Sequence, residues 1–186
     1  VLFRSGPATE AFIDFPQGIA VDAFGAVYVA DSGNHRIRKI TADGIISTAG
    51  GTGVAGYNGD GIPGVEAQLS FPTGLAISPQ GDLLITDTGN NRIRKLSADG
   101  RRITTVAGDG IARFTNDGAS AIAASLNAPR SVAVDGAGNV WIADSGNDRV
   151  RRVDASSGVM RTVAGAGDRG YSGDNGPAVA ALLNFP

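Results

Sequence analysis

Three pairs of arginines stand at matching places in this sequence: Arg36 with Arg38, Arg92 with Arg94, and Arg149 with Arg151. Lys39, Lys95 and Arg152 follow the pairs directly. Basic residues in such a row could grip a phosphate backbone or an acidic partner. An acid and an amide precede each pair at fixed spacing: Asp31 and Asn34, Asp87 and Asn90, Asp144 and Asn147. Short side chains of this kind bond to nearby backbone and organise turns. The whole phrase is spelled "DSGNHRIRK", "DTGNNRIRK" and "DSGNDRVRR". Its near-identity favours architecture, because every unit of a repeating fold needs the same joint whereas a binding face varies between units. Asp31, Asn34, Arg36, Asp87, Asn90, Arg92, Asp144, Asn147 and Arg149 are therefore read as a structural joint. The position that does vary, His35, Asn91 and Asp148, is the better candidate to face a partner, with Arg38, Arg94 and Arg151 beside it.

Other chemistry is thinly supplied. His35 is the single histidine and cysteine is absent, whereas zinc sites draw on several such ligands. A Ser-His-Asp arrangement would also need His35, and no Gly-x-Ser-x-Gly elbow occurs. Asp60, Asp117 and Asp174 lie beside Asn58, Asn116 and Asn175 in glycine-rich stretches. Oxygen-rich turns can hold calcium, but one stretch does not offer the six to eight oxygens that the ion takes. Side-chain-to-backbone turns are the stronger reading. No cofactor is expected, and weak calcium binding at Asp60, Asp117 and Asp174 stays open. "AGGTG" and "AGDG" lack the Lys-Ser/Thr of a phosphate loop.

Charge and hydropathy set further bounds. The formal net charge is −2, which draws the chain to neither nucleic acid nor an anionic membrane. Strong nucleic-acid binding is not expected. No apolar run approaches the roughly 18 residues of a spanning helix, so no membrane role is expected. The compartment stays unassigned; a secreted or periplasmic full-length protein fits the pattern.

These residues need elements to hold them, and a repeat supplies those. Pro16, Pro72, Pro129 and Pro186 recur at 56, 57 and 57 residues, and Asp31, Asp87 and Asp144 at 56 and 57. Each unit reads as four short strands, exemplified by "GLAIS", "LLITD", "RIRKL" and "ITTVAG". Gly25, Gly81 and Gly138 mark the first turn, the joint phrase the second, and "ADG" or "SSG" the third. Consecutive apolar residues such as Val27, Tyr28 and Val29 require burial on both faces. Four-stranded sheets stacked radially meet that need, which is a β-propeller. Ala20, Ala76 and Ala133 suit its crowded inner strand. Connectors such as "YNGDGIPGVEAQLSFP" follow each unit, with one helical turn expected near Pro63 and Pro177.

The phrase D-[ST]-G-N-x-R-[IV]-R, the preceding [VI]-x-[AT]-D and "GDNGPA…LNFP" together resemble the NHL repeat family, in its long bacterial form. The resemblance runs from Pro7 to Pro186. It implies an all-β propeller, three four-stranded blades of an incomplete six-bladed ring, with short helical turns in the connectors. The expected boundaries are 1–14 for the connector of a preceding repeat, 15–70, 71–127 and 128–184 for three blades, and 185–186 for the start of another. "VLFRS" departs from the family pattern and is read as atypical. Family members mostly serve as platforms for ligands or partners, and a related group is a zinc-dependent lyase. The expected function is thus a non-catalytic scaffold binding an unidentified protein or small molecule. The alternative is part of a lactonase- or lyase-like enzyme with its catalytic residues in other blades; Asp22 and Asp135 are the local clue, and Ser78 breaks that set. The chain is read as a piece of a longer protein, whose free flanks, baring Val27 and Val29 or Trp141 and Ile142, would drive self-association.

Overall fold

The computed structural model describes residues 5–115 and 117–186. The atypical opening "VLFRS" falls almost wholly outside them, as does Asn116. Strands pair into three antiparallel sheets. The first holds β1 (Ser5–Pro7), β2 (Pro16–Val21), β3 (Val27–Asp31), β4 (Arg36–Ile40) and β5 (Ile45–Gly50) in the order β1-β5-β4-β3-β2. The second holds β6 (Pro72–Ile77), β7 (Leu83–Asp87), β8 (Arg92–Leu96) and β9 (Ile103–Ala107) in sequence order. The third does the same with β10 (Ser131–Val134), β11 (Val140–Asp144), β12 (Arg149–Val153) and β13 (Met160–Ala164). The chain is all-β and forms propeller blades.

Turn chemistry sets each register. In the first sheet Asp22 accepts the Phe24 and Ala26 N–H groups, both at 2.9 Å, closing the β2–β3 turn over Gly25. In the third sheet Asp135 accepts from Ala137 and Asn139 in the same way. The second uses Ser78, whose hydroxyl oxygen accepts the Asp82 N–H at 3.1 Å.

The apolar runs divide between two cores, as a period of two requires. Leu83 and Ile85 point with Leu75, Leu96 and Ile103 into a core shared with Tyr28, Ala30 and Ile37 of the first sheet. Leu84 points the other way, with Ile93 and Ala107, against Val132, Val140, Ile142, Val153 and Met160 of the third. Each fully covered leucine or isoleucine contributes about 1.5–3 kcal/mol. Ile142 therefore lies inside, and an outer flank baring both Trp141 and Ile142 does not exist. On the first sheet Val29 is also buried; Ile19 and Val21 of its β2 strand are exposed, as is Ile45 of β5.

Connectors belong to both sheets that they join. Short 3-10 turns at Gly64–Glu66 and Ala178–Ala180 sit where helical turns were expected, after Pro63 and Pro177, and another occupies Ala121–Ala123. The carbonyl of Gly64 accepts from Gly51 of the first sheet, and its N–H donates to Gly100 of the second. Ala121 repeats both bonds, with Gly108 and with Gly158. Ala67 and Leu69, then Ala124 and Leu126, fill the cores beneath.

Candidate functional site

The joint residues sit where a strand pair turns beside the incoming chain. Asp87 accepts the Ser70 N–H at 2.7 Å and the Asn90 amide at 2.8 Å. Asp31 does the same with Asp14 and Asn34, and Asp144 with Asn127 and Asn147. Arg92 donates to the Asp109 carbonyl at 2.7 Å, Arg36 to that of Thr52 and Arg149 to that of Ala166, both at 2.6 Å. These carbonyls lie in the loop leaving the same sheet. The guanidinium of Arg92 fills the space that a Cβ at Gly110 would need, and Gly110 has φ +91°, a value that L residues rarely adopt.

The variable position lies in the seam between blades. His35, Asn91 and Asp148 have φ of 54°, 53° and 51°. Asn, Asp and His are the non-glycine residues most tolerant of this left-handed region. Each side chain also supplies an acceptor to the next repeat. Nδ1 of His35 accepts the Phe71 N–H at 3.0 Å, Oδ1 of Asn91 that of Ala128 at 2.8 Å, and Oδ1 of Asp148 that of Phe185 at 2.8 Å. Close by, the hydroxyls of Ser32, Thr88 and Ser145 donate to the carbonyls of Pro72, Pro129 and Pro186. These three residues thus differ in type while sharing a backbone conformation and an acceptor atom. One acceptor of each is engaged with the following repeat, while His35 and Asn91 stay half-buried and Asp148 is buried.

The second arginine of each pair departs from expectation. Arg94 and Arg151 are completely buried, and exposure to a partner is ruled out for both. Arg94 lies 2.9 Å from Asp60 and 3.7 Å from Asp87; Arg151 lies 2.9 Å from Asp117 and 3.4 Å from Asp144. The connector arriving from the preceding blade lays an aromatic ring on the second and third pairs. Tyr57 sits 4.1 Å from Arg92 and 4.8 Å from Arg94, and Phe114 sits 3.9 Å from Arg149 and 5.0 Å from Arg151. Arg38 retains 14 % side-chain exposure, 3.6 Å from Asp31. Burial pushes Asp87 up to about 6, against the pull of Asn90, the Ser70 N–H, Arg94 and Arg92. Burial raises Asp144 as well.

Two of the three connector acids are engaged with the sheets. Asp60 also accepts from Thr105 at 3.0 Å, and Asp117 from Thr162 at 3.0 Å. Asp174 accepts from the Tyr171 hydroxyl at 3.0 Å. Among the described residues no group of three His, Cys, Asp or Glu is placed to hold a metal ion. Asp135 bonds Asn139 and the Trp141 indole, which hold its carboxyl down at about 2, while Lys39 lies 3.8 Å from Asp22.

One set of polar residues went unread in the sequence. Gln17, Thr73, Arg130 and Ser131 begin the three inner strands and converge on a cavity of about 230 Å³. Thr73 donates to the Arg130 carbonyl at 2.7 Å, whereas Gln17, Arg130 and Ser131 are exposed. The available signal was the residue after each strand-opening proline, which changes from Gln to Thr to Arg while its surroundings repeat.

Comparisons with known proteins agree with this architecture. A model described as SMP-30/Gluconolactonase/LRE-like region matches residues 53–168, more than half of the chain, and the NHL repeat model matches 14–40. Human Teneurin-4 is 33% identical across 97% of this chain, which spans only 7% of that protein's length. The solved structure of a Xanthomonas campestris gluconolactonase superposes with TM-score 0.57 at 17% identity, covering 82% of this chain and 48% of that one. An auxiliary nutrient binding protein from Bacteroides ovatus superposes with TM-score 0.64 at 16% identity, over 92% and 42%. With the family model matched across its second and third blades and the NHL pattern in its first, the chain belongs to the SMP-30/gluconolactonase/LRE-like family as an NHL-repeat propeller.

Proposed function

We propose that the chain is a non-catalytic binding scaffold whose ligand site lies at the inner mouth formed by Gln17, Thr73, Arg130 and Ser131. The carrying observation is a division of labour. Titratable residues of the repeated phrase are engaged in joints and seams, whereas the inner strand openings of the first and third sheets present different exposed polar groups, Gln17 in one and Arg130 with Ser131 in the other, with Thr73 buried between them. A guanidinium, an amide and a hydroxyl together suit an oxygen-rich group, such as a carboxylate or a polyol. Connector acids Asp60 and Asp117 act in this reading as arginine clamps and not as calcium ligands, supported by their 2.9 Å contacts. Calorimetric titration with gluconate and with a short acidic peptide tests the proposal. Saturable binding by either, lost in Arg130→Ala, is expected; no binding by both would overturn it.

A second reading, part of a lactone hydrolase, draws on the gluconolactonase likeness. Its local clues Asp22 and Asp135 are engaged in turns, as is Ser78, which breaks the set. Hydrolysis of gluconolactone above the buffer rate, with calcium or zinc supplied and lost in Asp135→Asn, would replace the scaffold reading.

A further inference from the structure

Asparagine precedes glycine twice in this chain, at Asn58–Gly59 and Asn175–Gly176. Both pairs lie in connectors, at different positions of the repeat. This dipeptide is the one most open to self-modification, because glycine has no Cβ to hinder its own nitrogen. The amide nitrogen of the glycine gives up its proton to solvent and attacks the asparagine Cγ. A Cγ–N bond forms and ammonia leaves, producing a five-membered imide. Water then opens the imide at either carbonyl, giving aspartate or isoaspartate. No reagent beyond water is consumed.

The structure separates the two sites. Nδ2 of Asn58 donates to the Glu66 carbonyl at 2.9 Å, and Oδ1 accepts the Gln68 N–H at 2.8 Å. Both bonds hold the carboxamide against the far side of its loop, away from Gly59. Thr115 holds the next connector in the same way, accepting from Ser125 at 2.8 Å. Asn175 sits in an exposed stretch with φ +63°, and among the described residues no hydrogen bond restrains its side chain. The opposing contact is Gly176 N–H to the Gly173 carbonyl at 3.0 Å. It closes one short exposed turn, so it restrains the attacking nitrogen less than two long-range bonds restrain the Asn58 amide.

We propose that Asn175 is a site of spontaneous, water-driven conversion to aspartate and isoaspartate, and that the fold protects Asn58 from the same reaction. Conversion places a new carboxylate beside Asp174, the acid equivalent to the arginine clamps Asp60 and Asp117. The isoaspartate product also lengthens the backbone there by one atom. Either product would alter the turn that holds Asp174 against the Tyr171 hydroxyl.

Mass spectrometry of tryptic peptides tests this after the folded protein stands in mildly alkaline buffer. The peptide following Arg169 should accumulate aspartate and isoaspartate forms. The peptide holding Asn58 should convert at least about tenfold more slowly, the factor imposed by opening two hydrogen bonds. In concentrated urea the two rates should converge, and Asn175→Gln should remove the change after Arg169. Equal rates in the folded protein, faster conversion at Asn58, or no conversion at Asn175 would each overturn the proposal.

Discussion

Two arginines one residue apart do different work, and their costs on removal should differ. Arg92 bonds a carbonyl and stacks under Tyr57 while partly open to water. Arg92→Ala should lower unfolding free energy by about 1–3 kcal/mol. Arg94 is buried against Asp87, so Arg94→Ala strands an unpaired carboxyl and should cost about 3–5 kcal/mol. Urea melts of both variants check the order; an Arg92→Ala variant less stable than Arg94→Ala would refute it. Asp87 carries a pH signature too. Its carboxyl titrates near 6 in the folded protein against an ordinary 3.8. Between about pH 4 and 6 the folded state therefore holds this proton more readily than the unfolded chain. The stability tied to Asp87 is fully present below that window and is lost as pH rises through it. Comparing urea midpoints across this range, the balance should move in favour of Asp87→Asn as pH rises. A difference independent of pH, or one moving the other way, would show that burial does not govern this carboxyl.

At the level of the strand and its turn, the seam residues invite a graded series. Asn91→Gly keeps the left-handed turn but loses the acceptor for Ala128 and should cost about 1 kcal/mol. Asn91→Val loses the acceptor and adds about 1–2 kcal/mol of backbone strain. Asn91→Asp should be tolerated, since Asp148 fills that role one blade later. Thermal melts in the order Asn, Asp, Gly, Val would agree; a stable Asn91→Val would show that neither factor operates. This scale also marks where the sequence is readable. Strands, glycine turns and helical turns could be read from it because each rests on neighbours within a few residues. The seam contact of Asn91 joins positions 37 apart, and the Arg94–Asp60 contact joins positions 34 apart. Linear pattern carries no trace of such pairs. The variation of His35, Asn91 and Asp148 therefore looked like freedom, when it was a choice among acceptors. Arg94 resembled a surface residue because the connector covering it belongs to the preceding repeat.

For the molecule as a whole, exposed apolar groups and charge set what it does in solution. Ile19 and Val21 are 70% and 56% exposed, whereas their counterparts in the second blade, Leu75 and Ile77, are 9% exposed and half-buried under their neighbour. The 186-residue chain on its own is expected to self-associate through that flank, and Ile19→Lys with Val21→Lys to reduce the effect. Light scattering decides, and a monodisperse monomer at high concentration would count against it. Binding to nucleic acid should be weak: the net charge is −2 and Arg94 and Arg151 are interior. A salt-sensitive, sub-micromolar gel shift would contradict this. The seams have one more consequence. His35, Asn91 and Asp148 all grip a backbone N–H, and Ser32, Thr88 and Ser145 all grip a backbone carbonyl. Every repeat offers those two groups whatever its side chains, so these bonds do not distinguish one neighbour from another. A gene that duplicates, deletes or reshuffles whole repeats keeps these fastenings intact without compensating mutations. The array can then change its length in one recombination event, while the residues at its inner mouth diverge independently.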